Sequence, residues 1–187
     1  MRSKILFTLC FVSLLVGQPS FTSEHLVDGD FNGAWSVYAT DMDGDGDVDI
    51  IGAAGAGNDI SWWENDGTPN NANWTEYLVD GGFDYATSVY ATDMDGDGDV
   101  DILGASYDDG VSWWENDGTP NNANWTEYIV DEGCMCFWSS VYATDMDGDG
   151  DVDIIGSKKA SNDISWWEND GTPNNANWTE YLVDGDF

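Results

Sequence analysis

The sequence predicts an all-β protein made of β-propeller blades, each of four short antiparallel strands, and three observations lead there. First, one unit is written three times. Ser36–Ile50 reads SVYATDMDGDGDVDI, and the same 15 residues return at Ser88–Ile102 and Ser140–Ile154, both times 52 positions on. A second block, SWWENDGTPNNANWTEY, recurs at Ser61–Tyr77, Ser112–Tyr128 and Ser165–Tyr181. Second, the runs between Gly, Asn, Asp and Pro are β-branched and aromatic, and no stretch beyond residue 23 shows helical periodicity. Third, four strands in about 50 residues is the size of one propeller blade. A solenoid of stacked β-units is the alternative with the same repeat.

In the first unit the strands fall at Val37–Thr40, Val48–Gly52, Ile60–Glu64 and Trp74–Val79. An Asp-rich loop separates the first pair. Ala53–Asp59 is a Gly-rich turn, and Asn65-Asp66-Gly67-Thr68-Pro69 is dense turn chemistry before the last strand. In the third strand Trp62 and Trp63 must point to opposite faces, because side chains alternate along a strand. The repeats divide the chain into a leading strand of a preceding blade at 24–35, blade 1 at 36–83, blade 2 at 84–135 and blade 3 at 136–187. VDGDF occurs at Val27–Phe31 and again at Val183–Phe187, so the chain enters and leaves on a fourth strand. A closed propeller has about four to eight blades. The expectation is therefore a partial propeller, completed by further C-terminal blades or by self-association.

The 187 residues carry 37 Asp+Glu against 4 Lys+Arg, a formal charge of −33. A polyanion would be repelled, and no basic patch exists to release counterions, so nucleic acid is excluded as a partner. An anionic membrane surface is excluded for the same reason. With 41% hydrophobic residues this is no disordered acidic tail, and its natural partners are cations. Residues 1–23 read as a secretory signal peptide: Arg2 and Lys4, then the apolar run Ile5–Val16, then the small polar stretch Gly17–Ser23. The apolar run is too short to span a bilayer, which takes about 20 residues. Its removal takes the charge from −33 to −35 and implies an extracytoplasmic, secreted or cell-surface protein with no membrane insertion after cleavage. Cys134 and Cys136 then remain, two thiols or a small local bridge in a variable loop. A zinc site would need more Cys or His, and His25 is the one histidine.

The Asp-rich loop carries the chemistry. Calcium takes six to eight oxygen ligands, and a tight loop supplies them from alternating positions. In Asp41-Met42-Asp43-Gly44-Asp45-Gly46-Asp47-Val48-Asp49, positions 1, 3, 5 and 9 are Asp41, Asp43, Asp45 and Asp49; position 7, Asp47, offers its backbone carbonyl. Gly46 permits the sharp turn. The second loop supplies Asp93, Asp95, Asp97, Asp99 and Asp101, and the third Asp145, Asp147, Asp149, Asp151 and Asp153. Hard carboxylate oxygens suit Ca²⁺ better than zinc or copper, and magnesium prefers fewer protein ligands. The plain alternative is a solvated acidic turn, in which five carboxylates repel one another with nothing to offset them. The likeness to an EF-hand loop ends at position 9: no Glu stands at position 12 and no helices flank the loop.

On these Asp-x-Asp-Gly-Asp-Gly loops the chain resembles the FG-GAP or VCBS repeat proteins, over Leu26–Phe187. The resemblance implies calcium binding in β-propellers of the kind found in integrin α-subunits and bacterial surface proteins, with the loop joining the first and second strands of each blade. The family's Gly-Ala-Pro element survives as Gly52-Ala53 and Gly104-Ala105 without Pro and becomes Gly156-Ser157 in the third copy; Phe-Gly is reduced to Phe31 and Phe83 beside glycines. These departures are closer to the bacterial VCBS-type group.

Nine of the 11 Trp belong to the repeats and read first as packing between blades. The alternative is that Trp74, Trp125 and Trp178, or the unit-specific Trp35 and Trp138, present flat rings to a sugar. Asn73, Asn124 and Asn177 each begin an Asn-Trp-Thr glycosylation pattern. No catalytic residues are expected: one peripheral His25 and repeated Asp make no triad, and Lys158 and Lys159 read as a charged surface turn. The function this predicts is a secreted calcium-binding adhesion or protein-binding module with an extracellular protein or glycan ligand. A lectin-like propeller and a non-catalytic portion of a larger extracellular enzyme are the alternatives.

Overall fold

The computed structural model describes residues 24–71, 73–132, 137–175 and 177–184. The stretch read as a signal peptide, 1–23, Cys134, Cys136 and the last three residues of the closing VDGDF lie outside them. Three four-stranded antiparallel sheets make up the fold, and the described residues contain no helix. The first sheet runs β1 (Ala34–Thr40), β2 (Asp49–Ala54), β3 (Asp59–Glu64), β4 (Thr75–Asp80). The second runs β5 (Ala86–Thr92), β6 (Asp101–Ser106), β7 (Gly110–Glu115), β8 (Thr126–Glu132). The third runs β9 (Trp138–Thr144), β10 (Asp153–Lys158), β11 (Asp163–Glu168), β12 (Thr179–Asp184). Each is a meander in which every strand pairs with its sequence neighbours, the order of a propeller blade. The three sheets do not close into a ring.

Strands β1, β5 and β9 stand side by side, so the first strands are innermost. Tyr38, Tyr90 and Tyr142 form a row across them, with ring centroids 4.7 and 4.6 Å apart. Neighbouring inner strands are also pinned by hydroxyls: the Val89 N–H donates to Ser36 Oγ at 3.2 Å and the Val141 N–H to Ser88 Oγ at 3.3 Å.

Two apolar cores lie between the sheets. Met42, Ile51, Ala53, Ile60 and Trp62 of the first sheet face Ala86, Val89, Ala91, Ile102 and Trp114 of the second. Met94, Leu103, Ala105, Val111 and Trp113 of the second face Trp138, Val141, Ala143, Ile154 and Trp167 of the third. The paired tryptophans do point opposite ways. Trp62 Nε1–H donates forward to the Pro120 carbonyl at 3.2 Å, and Trp113 Nε1–H does the same to Pro173 at 3.3 Å. The second Trp of each pair looks back: Trp63 donates to Asp28 Oδ2 at 3.3 Å and Trp114 to Asp80 Oδ2 at 3.2 Å. This backward ring lies on a glycine of the second strand. A Cβ on Gly52, Gly104 or Gly156 would come within 2.8, 2.6 or 2.9 Å of the Trp63, Trp114 or Trp167 ring, closer than real Cβ contacts. These are the glycines of the shortened Gly-Ala element.

The second strand runs further than its sequence suggests, to Ala54, because the reversal is confined to Gly55–Asn58 with Asn58 left-handed at φ 62°. The leading segment departs more. Residues 24–33 form no strand, where one was expected over 24–35; strand begins only at Ala34, as the start of β1. Among the described residues no sheet precedes it, so the segment has no ladder to join there. It still does part of a blade's work. Phe31 meets Trp63 edge-on at 4.8 Å, as Phe83 meets Trp114 at 4.9 Å. His25 accordingly lies outside any strand rather than at a strand edge.

Candidate metal centre

Each Asp loop connects the first and second strands of its sheet: 41–48 between β1 and β2, with its counterparts between β5 and β6 and between β9 and β10. The loop turns on two glycines that hold positive φ, 76° at Gly44 and 99° at Gly46 in the first copy, which a side chain would strain. Carboxylates then cap the loop's own amides. The Asp45 N–H donates to Asp43 Oδ1 (3.1 Å), Gly46 N–H to Asp41 Oδ2 (3.0 Å) and Asp47 N–H to Asp45 Oδ1 (2.8 Å). The second and third loops repeat this set.

Three groups of carboxylate oxygens converge to within 4.8 Å: Asp41, Asp43 and Asp45; Asp93, Asp95 and Asp101; Asp145, Asp147 and Asp153. Positions 1 and 3 join the cluster in every copy. The third member is position 5 in the first loop and position 9 in the others. Asp97 and Asp149 stand beside their clusters, each capping the following aspartate's amide. Position 7 is turned away: Asp47, Asp99 and Asp151 lie against Gly67, Gly118 and Gly171 of the adjoining loop.

The ninth residue is the anchor. Asp49, Asp101 and Asp153 are buried. Asp49 Oδ2 accepts from the Met42 N–H and Oδ1 from the Asn65 N–H, both at 2.8 Å, and Asp101 and Asp153 repeat the pattern. This carboxylate thus ties the Asp loop to the loop after β3. Asn65 completes the tie by donating from Nδ2 to the Val48 carbonyl at 3.0 Å. Asn65, Asn116 and Asn169 were not among the expected site residues. Nor was Glu64, whose charge acts on Asp43 and whose Oε2 accepts from the Tyr77 hydroxyl at 2.8 Å. Their recurrence in the SWWEND block was the available signal.

The electrostatics are those of crowded carboxylates. Burial first, and then neighbouring carboxylates, push Asp43, Asp49, Asp95 and Asp147 above the usual carboxylate range, against the pull of backbone N–H donors. Asp101 is pushed up to about 7, with burial the largest cause. Asp41 Oδ1 is buried and has no hydrogen-bond partner, so an acceptor in the first cluster stands ready for a ligand. An all-carboxylate donor set with an orphaned oxygen fits a hard divalent cation.

The aromatic candidates separate. Trp138 is buried, packs on Trp167 at 5.0 Å and lies under Lys158 Nζ at 4.6 Å. It takes the place that Phe31 and Phe83 hold in the other copies. Lys158 sits at the end of β10 and also reaches Asp131 Oδ2 at 3.7 Å, so it is a bracing residue rather than part of a loose turn. Trp35 is exposed. Trp74, Trp125 and Trp178 are partly buried, and Asn73, Asn124 and Asn177 are exposed.

The meander sheets and their acid-lined loops define a repeat protein of β-propeller type. The model of the FG-GAP-like repeat matches residues 41–104 and 93–156, each match running from one Asp loop to the glycine of the next second strand, and the chain belongs to that family. No curated protein matches the sequence. Among the described residues no helix is long and apolar enough to cross a membrane.

Proposed function

We propose that this chain is a secreted or cell-surface binding module whose three Asp loops hold Ca²⁺ and whose opposite end meets an extracellular ligand. The observation that carries the calcium reading is the convergence of three carboxylates in each loop together with the unpartnered Asp41 Oδ1. Asp41, Asp43 and Asp45 would hold the first ion, Asp93, Asp95 and Asp101 the second, and Asp145, Asp147 and Asp153 the third. The ion would supply positive charge that offsets repulsion among the loop carboxylates. Its role is structural, and no catalytic residues are assigned. Secretion rests on the reading of residues 1–23 as a signal peptide, and calcium is abundant outside the cell. Titration calorimetry should find three calcium ions per chain. Thermal unfolding should shift with chelator, by linkage of about 2.7 kcal/mol per site at 100 times Kd. A melting temperature indifferent to chelator would defeat this reading.

For the ligand, adhesion or protein binding is the first reading. A carbohydrate is the second, favoured by a cleft of about 490 Å³ at the end away from the Asp loops. Trp35, Tyr107, Phe137 and Lys159 line it, and flat rings beside a cation suit a sugar. A glycan array probed with calcium present distinguishes the two; retention that disappears in Trp35→Ala would favour the sugar.

A further inference from the structure

Identical residues are buried in some copies of the repeat and bare in others, and the pattern locates a missing neighbour. Val37, Val89 and Val141 hold the same position on the innermost strands, yet Val37 is 70% exposed while Val89 and Val141 are 5% and 6%. Val89 and Val141 each have a preceding sheet packed on them; Val37 has none. At the other end Met146 is 45% exposed, while Met42 and Met94 are 2% each under a following sheet. Trp166 and Ile164 are likewise only partly covered, where Trp62, Trp113, Ile60 and Val111 are fully buried. Pro120 and Pro173, whose carbonyls receive the forward tryptophans, are buried, and Pro69 is exposed.

The two bare faces are therefore the two halves of a joint that the chain already makes twice. One half is Met146, Ile155, Ile164 and Trp166 on the third sheet. The other is Val37, Ala39, Ile50 and the Pro69 carbonyl on the first. Residue for residue they match the faces that meet between the first and second sheets, save Ser157 in place of Ala53. The Asp28–Phe31 segment occupies one part of this joint, so a docking third sheet must leave that slot to it. It already supplies to Trp63 the contacts that Asp80 and Phe83 supply to Trp114. Beside it lies an open hollow of about 440 Å³ lined by Val37, Ile50 and Phe31.

We propose that a second copy of this chain fills both faces, the third sheet of each docking on the first sheet of the other, so that two chains close a ring of six sheets. A head-to-tail contact either closes or grows into a filament. Closed propellers hold about four to eight blades. One chain brings three sheets and three chains would bring nine, so two is the number that closes. The trigger for assembly is charge screening: each chain carries −33, and salt or bound calcium must mute the repulsion before apolar faces meet.

The test is sedimentation velocity and light scattering on the full chain with calcium and physiological salt present. The expected mass is twice that of a single chain, independent of concentration once the pair has formed. Val37→Asp and Met146→Asp alter residues that are exposed in the single chain, so each variant should keep its circular dichroism and become monomeric. Mixing the two variants restores one of the two joints and should return a weaker dimer. A chain that stays monomeric at all concentrations would overturn the proposal, and is the result expected if further repeats of a longer chain occupy these faces. Masses that climb past the dimer, or a dimer indifferent to Val37→Asp, would overturn it too.

Discussion

At one end of the three sheets the connections between first and second strands are the same residues each time, Asp41–Val48, Asp93–Val100 and Asp145–Val152. At the other end the corresponding turns, Gly55–Asn58, Tyr107–Asp109 and Lys159–Asn162, share almost nothing. The strands between them are nearly identical. The difference follows from what each end must do. At the Asp-loop end, backbone amides are capped by particular carboxylates, a buried Asp joins two loops, and the loop between the third and fourth strands receives a tryptophan from the preceding sheet. A change in one residue unsettles several partners. At the turn end the chain has only to reverse, so side chains there are free to differ, and the exposed Trp35 and the cleft lined by Tyr107 and Phe137 sit among them. Constancy marks the end that holds the fold, variation the end where the chain has only to reverse.

The sharpest test of that contrast is a pair of tryptophan truncations. Trp113→Ala removes a buried ring that ties the second sheet to the Pro173 loop, and should cost about 3–5 kcal/mol in denaturant unfolding. Trp35→Ala at the turn end should shift the midpoint by no more than about 0.5 kcal/mol. Next, Asp101→Asn loses one charged acceptor for the buried Met94 and Asn116 amides. It should cost about 1–3 kcal/mol and reduce calcium from three ions to two by calorimetry. Gly104→Ala, which sets a Cβ 2.6 Å from the Trp114 ring, should cost about 1–3 kcal/mol by overpacking. Lys159→Ala in the opposite turn should be neutral to within about 0.5 kcal/mol.

A further effect is in pH, and its sign distinguishes the metal-free protein from the loaded one. Asp101 titrates near 7 in the fold against about 3.9 unfolded, so between those values the folded state holds the extra proton. Metal-free protein should therefore lose stability as pH rises from about 4 to 7 and level off above. With calcium present the slope should reverse, because ligand carboxylates must be ionised to bind. Thermal scans across that window, with calcium and with chelator, read both slopes.

Much of the fold was legible because turn chemistry and strand pattern agree three times over: SVYATD, the Asp loop and SWWEND fix the meander. What eluded the sequence was whatever depends on a neighbour in space. Phe31 and Phe83 sit beside glycines in sequence, but their work, closing over a tryptophan that itself rests on Gly52 or Gly104, needs three strands to be visible. Trp138 stood as an alternative sugar platform because no other copy has a tryptophan there; it fills that same slot, with Lys158 over it. The leading segment reads as strand from VDGDF alone, but a strand needs a ladder partner. Within the site, the alternating aspartates marked the loop, whereas Asn65 and Glu64 enter it from a block 15 or more residues away.

The joint between sheets bears on how such a chain changes over generations. The joint between the first and second sheets and the joint between the second and third use the same positions, so a duplicated copy meets its neighbours through positions the fold already uses. Units can then be gained or lost by unequal crossover between repeated segments of the gene, while the turns at the far end drift independently in each.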